Sequence, residues 1–499
     1  MNSFLYGLKE TDNYKRTENG ALAYKSTLSA VYDMFALCGA YRNRRDEDCI
    51  LMFKNALEED KTLALKCLFY LGDCRGGQGE RRYFRVCFHW FCEKYPESAI
   101  KLLKEIPEYR RWDDLLYATC GTKVERYAFE IVKQQLALDV QCKTPSLLAK
   151  WMPSENASSE TTKAMARSLR DYLGFTHKQY RKMLSELRSR INIVEKLMSE
   201  NRWEEIEFDK IPSKAGLIYK NAFARRDIIA KKYEAFAKDE NTTVNAKTLY
   251  PYEIVAKAIS HFDYWSSRMN LSDTDKAMIE KYWNNQVDYF NGEQSNMLCM
   301  VDTSGSMRGT TATAPINIAI SLGMYCAERA GGPFKNHYIS FASRPQLIKI
   351  EGVDFVDKIQ RIYRTNLCDN TDLVKAFDML LTIADRPSTK EADIPDTIVV
   401  ISDMEIDAGT SYRSGWTEYS ASTEMERVRR KWQEHGHKMP RLVYWNVDAR
   451  QNTILDAGPN VTFVSGASPT IFESVITGKN GWQLCLDKLL SDRYKAIEF

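Results

Sequence analysis

Two carboxylates and three hydroxyls carry the chemistry this sequence could perform. In MLCMVDTSGSM (297–307) a hydrophobic run ends in Asp302, and Ser304 and Ser306 follow on alternate positions around Gly305. In VVISDMEID (399–407) a second hydrophobic run ends in Asp403. In CDNTDLV (368–374) Thr371 stands just before an apolar helical pattern. Carboxylate and hydroxyl oxygens are hard donors. They suit Mg²⁺, which takes about six oxygens in a near-ideal octahedron, and Mn²⁺ or Ca²⁺ by the same chemistry. Two hydroxyls two residues apart can point to one side of a tight loop, and Gly305 is expected to let the backbone bend there. This is a chemistry of binding. No nucleophile stands beside a base as hydrolysis requires, and no Gly-x-x-x-x-Gly-Lys loop is present to cradle a nucleotide phosphate. Neither an enzyme nor a nucleotide cofactor is expected.

The elements that must position these residues follow from the texture of the chain after about residue 290. Short apolar runs at 297–301, 337–342, 397–402, 441–447 and 461–465 alternate with helical patterns near 314–329, 372–384, 421–435 and 468–476. Alternation of this kind predicts a mainly parallel, doubly wound α/β sheet covered on both faces. In such a sheet ligands bind beyond the carboxyl ends of the strands, where Asp302 and Asp403 stand. The order Asp-x-Ser-x-Ser, then Thr, then Asp resembles the metal-ion-dependent adhesion site (MIDAS) of von Willebrand factor A domains, over roughly 295–490. That resemblance implies that Ser304, Ser306 and Thr371 touch Mg²⁺ directly or through water. It implies that Asp302 and Asp403 mostly hold coordinating waters, and that a partner's carboxylate takes the open position. One departure stands in the threonine loop, which reads Asp369-Asn370-Thr371 where a glycine is common just upstream.

From about 21 to 290 the periodicity is helical. EDKTLALKCLFYLGD and RRYFRVCFHWFCEKY each present a broad apolar face, and the glycine-rich CRGGQGE between them is suited to joining two antiparallel helices. Further helices are expected near 97–105, 113–118, 124–138, 145–151, 160–172, 177–200, 214–238 and 251–267. The phrases TENGALAYKST (17–27), LKCLFYLGDCRGGQGERRYF (65–84), IPEYRRWDDLL (106–116), LLAKWMPSE (147–155) and IPSKAGLIYKNAF (211–223) resemble a large, functionally unassigned family that pairs a helical region with a C-terminal von Willebrand A domain. That architecture is similar to the Ro autoantigen, whose helical-repeat TROVE domain binds RNA. The division expected is a polar arm over 1–20, a HEAT-like or TROVE-like helical repeat region over 21–292, and the A-like domain over 293–499.

RNA is the partner this resemblance implies for the helical region. Residues 163–190 hold eight Lys and Arg against two acids, so Arg170, Arg181, Lys182 and Arg188 could form a basic face with Tyr172 and Tyr180 to stack on bases. Arg75, Arg81 and Arg82 flank the glycine turn, and Lys150 precedes Trp151. The same charges are also what a solvated helix face carries, and the two readings stay open here. If the basic face is only solvated, the chain is a protein-interaction module whose metal site holds an acidic protein ligand. His435 and His437 end a basic helical stretch, where positive charge favours a helix C-terminus, and no metal-ligand partners are expected near them.

Composition bounds these readings. The chain has 499 residues, 44% hydrophobic and 27% charged, which describes a folded protein of several domains. The formal charge of +3 permits a polyanionic partner without requiring one. Twelve cysteines without a Cys-x-x-Cys pair, behind a start with no signal pattern, predict reduced thiols in a cytoplasmic setting. The long uncharged run Gly309–Ala327 contains Pro315, Asn317 and several hydroxyl residues, which favours a buried helix over a membrane span.

Overall fold

The structure is a computed structural model that describes residues 13–191, 193–259, 262–263, 268–269, 271–341, 344–365, 372–407, 423–456, 458 and 460–499. The chain divides into two compact units, residues 1–45 with 246–489, and residues 46–245 with 490–499.

The first unit is built on a sheet. Two hairpin strands, β1 (Tyr14–Arg16) and β2 (Leu22–Tyr24), pair antiparallel, as do the short β3 (Phe262–Asp263) and β4 (Arg268–Met269). The six remaining strands are β5 (Met297–Asp302), β6 (His337–Phe341), β7 (Gln346–Lys349), β8 (Thr397–Ser402), β9 (Arg441–Asn446) and β10 (Val461–Ser465). They form one sheet in the order β10-β9-β8-β5-β6-β7, parallel throughout except that β7 runs antiparallel to β6. The five strands expected from the apolar runs are all present. The sixth, β7, was not foreseen, because QLIK exposes three of its four residues as an edge strand does.

Every residue of β5 is buried, as both faces of a parallel sheet demand. The uncharged run becomes the helix Pro315–Arg329, which lies on β5, β6 and β8 with Pro315–Ala327 buried. Gly323 permits this close approach, since a β-carbon there would collide with Val301 Cγ2. Among the described residues no helix is long and apolar enough to cross a membrane.

This unit takes in more chain than the boundary near 292 allowed. The helix Ala30–Leu37 packs on β10, and Gly39 N–H donates to Ser465 Oγ at 3.0 Å. The helices Pro251–Ile259 and Asp273–Asn284 pack on the helices Pro315–Arg329 and Phe355–Thr365, with the Trp283 and Phe355 rings 4.5 Å apart. Helical periodicity does not say which core a helix serves, and so these segments read as part of the helical region. The arm expected over 1–20 likewise contributes β1 to the hairpin.

The second unit is helical. Its longer helices are Asp46–Glu59, Lys61–Gly72, Arg81–Lys94, Glu125–Gln141, Glu160–Leu173, His177–Arg190, Ser213–Arg225 and Asp227–Lys238. The continuous helix expected over 214–238 breaks at Arg226, whose backbone is extended. Phe69, Phe84, Phe88 and Tyr109 form an aromatic core beside the glycine turn. The last ten residues belong to this unit. Arg493 pairs with the fully buried Asp73, and Tyr494 OH donates to Asp73 Oδ2 at 3.0 Å.

Candidate functional site

From β5 the chain turns toward β6 on one side, while β8, β9 and β10 build outward on the other. The strands adjoining this reversal, β5 and β8, are in register from Met297↔Thr397 to Val301↔Ile401. Asp302 ends β5 and Asp403 follows β8, so two carboxylates flank the crevice where a doubly wound sheet binds ligands.

Asp302 is 0% exposed. Its Oδ1 accepts from Ser304 N–H at 2.9 Å and its Oδ2 from Ser402 Oγ–H at 2.6 Å. Burial pushes its carboxyl up to about 7, and the neighbouring charge of Asp403 adds to the shift. The turn after it is a short 3₁₀ helix, Gly305–Met307, anchored by buried Met307. Ser304 and Ser306 meet as expected, with Oγ atoms 3.1 Å apart, and Ser306 is exposed. Gly305 does not play its expected part: its φ is not positive and nothing lies within 4 Å of where a β-carbon would stand. The bend is an ordinary 3₁₀ turn that any small residue could adopt.

Asp403 is 1% exposed and is held from two directions. Glu405 N–H donates to Oδ1 at 3.2 Å, and Arg450 Nη2 pairs with Oδ2 at 2.7 Å. Met404 between the two acids has φ 65°, a left-handed conformation that few side-chain-bearing residues adopt. Glu405 is itself fully buried, accepting from Thr453 Oγ1–H at 3.0 Å and Glu18 N–H at 2.6 Å, and burial raises its carboxyl. Thr371 lies outside the described residues. Its neighbour Asp372 caps the helix Leu373–Ala384, accepting from Lys375 N–H at 3.0 Å.

These residues fit a hard divalent cation. The donors of Asp302, Ser304, Ser306 and Asp403 are all oxygen, and of the two buried carboxylates Asp403 has a cationic partner, Arg450. Among the described residues no three His, Cys, Asp or Glu side chains gather as a metal cluster, so hydroxyls would have to complete the ligand set.

Two family models match the chain. The domain of unknown function DUF2828 matches residues 17–114 and 139–295, just over half of the sequence. The chain belongs to this family. A second domain of unknown function, DUF7788, matches residues 296–482, so the change of family falls immediately before β5. The uncharacterized protein L728 of Acanthamoeba polyphaga mimivirus is 27% identical, over 94% of this chain and 85% of the viral protein. The crystal structure of the Deinococcus radiodurans Ro (RSR) protein aligns with 91% of this chain and all of its own at 15% identity and a TM-score of 0.42, a level that does not establish a common fold.

Within the DUF2828 region most of the expected RNA contacts have intramolecular partners. Arg81 bridges Asp113 and Asp114 at 2.9 and 3.0 Å, and Arg82 pairs with Asp46. Arg75 Nη1 donates to Glu108 O at 2.6 Å, and Lys150 lies 3.8 Å from Glu195. Arg170 pairs with Glu155 and Asp171. Arg188 donates to Ala149 O at 2.7 Å and Met152 O at 3.0 Å, bracing the end of the helix Leu148–Trp151. Tyr180 is fully buried with its hydroxyl on Pro153 O, so its ring is closed to bases, whereas Tyr172 is half-buried and donates its hydroxyl to Glu130. Arg181 and Lys182 alone among the eight are exposed with no hydrogen bond or ion pair to described residues.

Sequence reasoning missed Arg450, Glu18 and Glu405. The one signal for Arg450 was its place in NVDAR, directly after an apolar run. It also missed partners for the histidines. His435 Nδ1 lies 2.8 Å from Asp385, and His437 lies 3.1 Å from Asp385 and 3.2 Å from Glu391, contacts that raise the imidazole of His437.

Proposed function

We propose that the sheet unit is a divalent-cation-dependent adhesion module of the von Willebrand factor A kind. It takes Mg²⁺ and, through the ion, a carboxylate on a protein ligand. The observation that carries this reading is the meeting of Asp302, the Ser304–Ser306 hydroxyl pair and Asp403 at the switch point of the sheet. Ser304 and Ser306 would hold the ion, with Thr371 from the third loop, and Asp302 and Asp403 would orient its waters. The bound ion supplies an electrophilic position for an incoming oxygen anion. The helical unit is the scaffold that the module serves. Mn²⁺ titration followed by electron paramagnetic resonance tests the reading. One saturable site in the wild type, weakened at least about tenfold in Ser304→Ala/Ser306→Ala, supports it. A wild type without such a site overturns it.

A second reading is a Ro-like scaffold in which the helical unit binds RNA. Exposed Arg181 and Lys182 support it. It has less support than the metal-dependent reading, because six of the eight candidate basic residues are engaged within the unit. Fluorescence anisotropy with single-stranded RNA across a salt series decides between them. Salt-sensitive binding lost in Arg181→Glu/Lys182→Glu favours RNA, and no binding even at low salt leaves the protein ligand.

A further inference from the structure

The loops after β8 and β9, which frame the candidate cation site, are tied to the N-terminal hairpin. Thr17 Oγ1–H donates to Ile406 O at 2.8 Å, Asn19 Nδ2 donates to Glu405 O at 2.6 Å, and Glu18 N–H donates to the Glu405 carboxylate. Lys15 Nζ reaches Gln451 and Asn452 O at 3.0 and 3.2 Å. Tyr24 exchanges backbone hydrogen bonds with Ile454 at 2.8 and 3.1 Å. At the centre stands Arg450. Its Nη2 holds Asp403 at 2.7 Å and its Nη1 holds Glu18 at 2.8 Å.

We propose that Arg450 is a resident counter-cation of the site, and that Glu18, on the N-terminal hairpin, sets how firmly it holds Asp403. The inference rests on the cation-binding reading above and adds its regulation. A carboxylate as buried as Asp403 needs a positive neighbour, and Arg450 provides one when no ion is bound. A divalent ion and a guanidinium drawn to the same carboxylate repel each other, so a gain in one interaction weakens the other. Glu18 offers Arg450 a second, half-exposed carboxylate and so makes the release of Asp403 easier. The backbone of Arg450 is fixed independently. Ala449 N–H donates to Ala40 O at 3.2 Å, and Arg44 donates to Arg450 O, which leaves only the guanidinium to move. Linkage makes the coupling reciprocal: cation binding tightens the Glu18 contact, and loss of that contact weakens cation binding.

Two opposite effects test this in the full chain, with Mn²⁺ as the probe and calorimetry as the readout. Arg450→Gln removes the competitor and should tighten Mn²⁺ binding about tenfold. Glu18→Gln leaves Arg450 committed to Asp403 and should weaken it about threefold. Arg450→Lys keeps the charge and should bind close to wild type, which separates charge from a general loss of folding. Hydrogen exchange across residues 13–24 should slow when wild type is saturated with Mg²⁺, a readout independent of affinity. Wild type that binds Mn²⁺ while Arg450→Gln is unchanged or weaker overturns the inference alone. Wild type that binds no Mn²⁺ overturns the cation-binding reading and the inference with it.

Discussion

Asp302→Asn should stabilise the metal-free chain while abolishing its response to Mg²⁺. The carboxyl of Asp302 is fully buried beside Asp403 and titrates near 7 instead of its ordinary 3.8. Because the folded state holds the proton more tightly than the unfolded one, the contribution of Asp302 is most favourable at low pH. It is lost as pH rises from the unfolded value to the folded one. Burial beside a second carboxylate makes ionisation of Asp302 cost on the order of a few kcal/mol in the metal-free chain. Asparagine keeps the shape. Its oxygen can still accept from Ser304 N–H, and its amide can donate to Ser402 Oγ. Ser402 then loses an acceptor for its own proton, a loss of about 1–2 kcal/mol. The net expectation is a gain of about 2 kcal/mol above neutral pH, shrinking toward zero near pH ~4. Urea melts in EDTA at pH ~5 and ~8 measure it, since the ΔΔG between variant and wild type should grow with pH. Adding Mg²⁺ should raise the midpoint of wild type and leave that of Asp302→Asn in place. A variant less stable than wild type in EDTA at the higher pH would refute the reasoning, because the carboxylate would then be under no electrostatic load.

Further outcomes follow from single contacts. Gly305→Ala should be neutral in stability and in Mn²⁺ affinity, whereas Gly323→Ala should lose about 1–3 kcal/mol by thermal melts as the new methyl meets Val301. Arg493→Ala strips the fully buried Asp73 of its ion pair and should cost about 3 kcal/mol, with the earliest protection losses by hydrogen exchange in the helices Lys61–Gly72 and Arg81–Lys94. Arg188→Ala removes two bonds to carbonyls that end the helix Leu148–Trp151 and should cost about 2 kcal/mol, while Arg181→Glu/Lys182→Glu should leave the melting curve within about 0.5 kcal/mol of wild type.

The parts of this molecule that were legible in its sequence are those where one local pattern determines one local outcome. Apolar runs of five to seven residues became β5, β6, β8, β9 and β10 because only a sheet covered on both faces buries such runs, and Asp302 and Asp403 stood out because a carboxylate ends each of two of them. The serine pair met because spacing within a turn is a local matter. Assignment of a helix to a core is not local. Ala30–Leu37 and Pro251–Ile259 carry the same periodicity as the helices of the other unit, and only their packing on β10 and on the helix Pro315–Arg329 reveals which core they complete.

Charge is the least local property of all, and this decides how a basic stretch should be weighed. The eight Lys and Arg of residues 163–190 read alike in sequence, yet Arg170 faces two carboxylates, Arg188 faces two carbonyls, and Arg181 and Lys182 face solvent. Arg450 shows the converse: a single arginine with no patterned neighbours joins two acids that lie 47 residues ahead of it and on the N-terminal hairpin. A cation's meaning is set by the anion it meets, and that anion is commonly distant in sequence. A binding surface should therefore be argued from the charges that remain after every intramolecular partner has been assigned. On that criterion Arg181 and Lys182 are the charges of the basic stretch that remain to argue from, while Asp403 already has Arg450 as its partner and a cation there must compete with it.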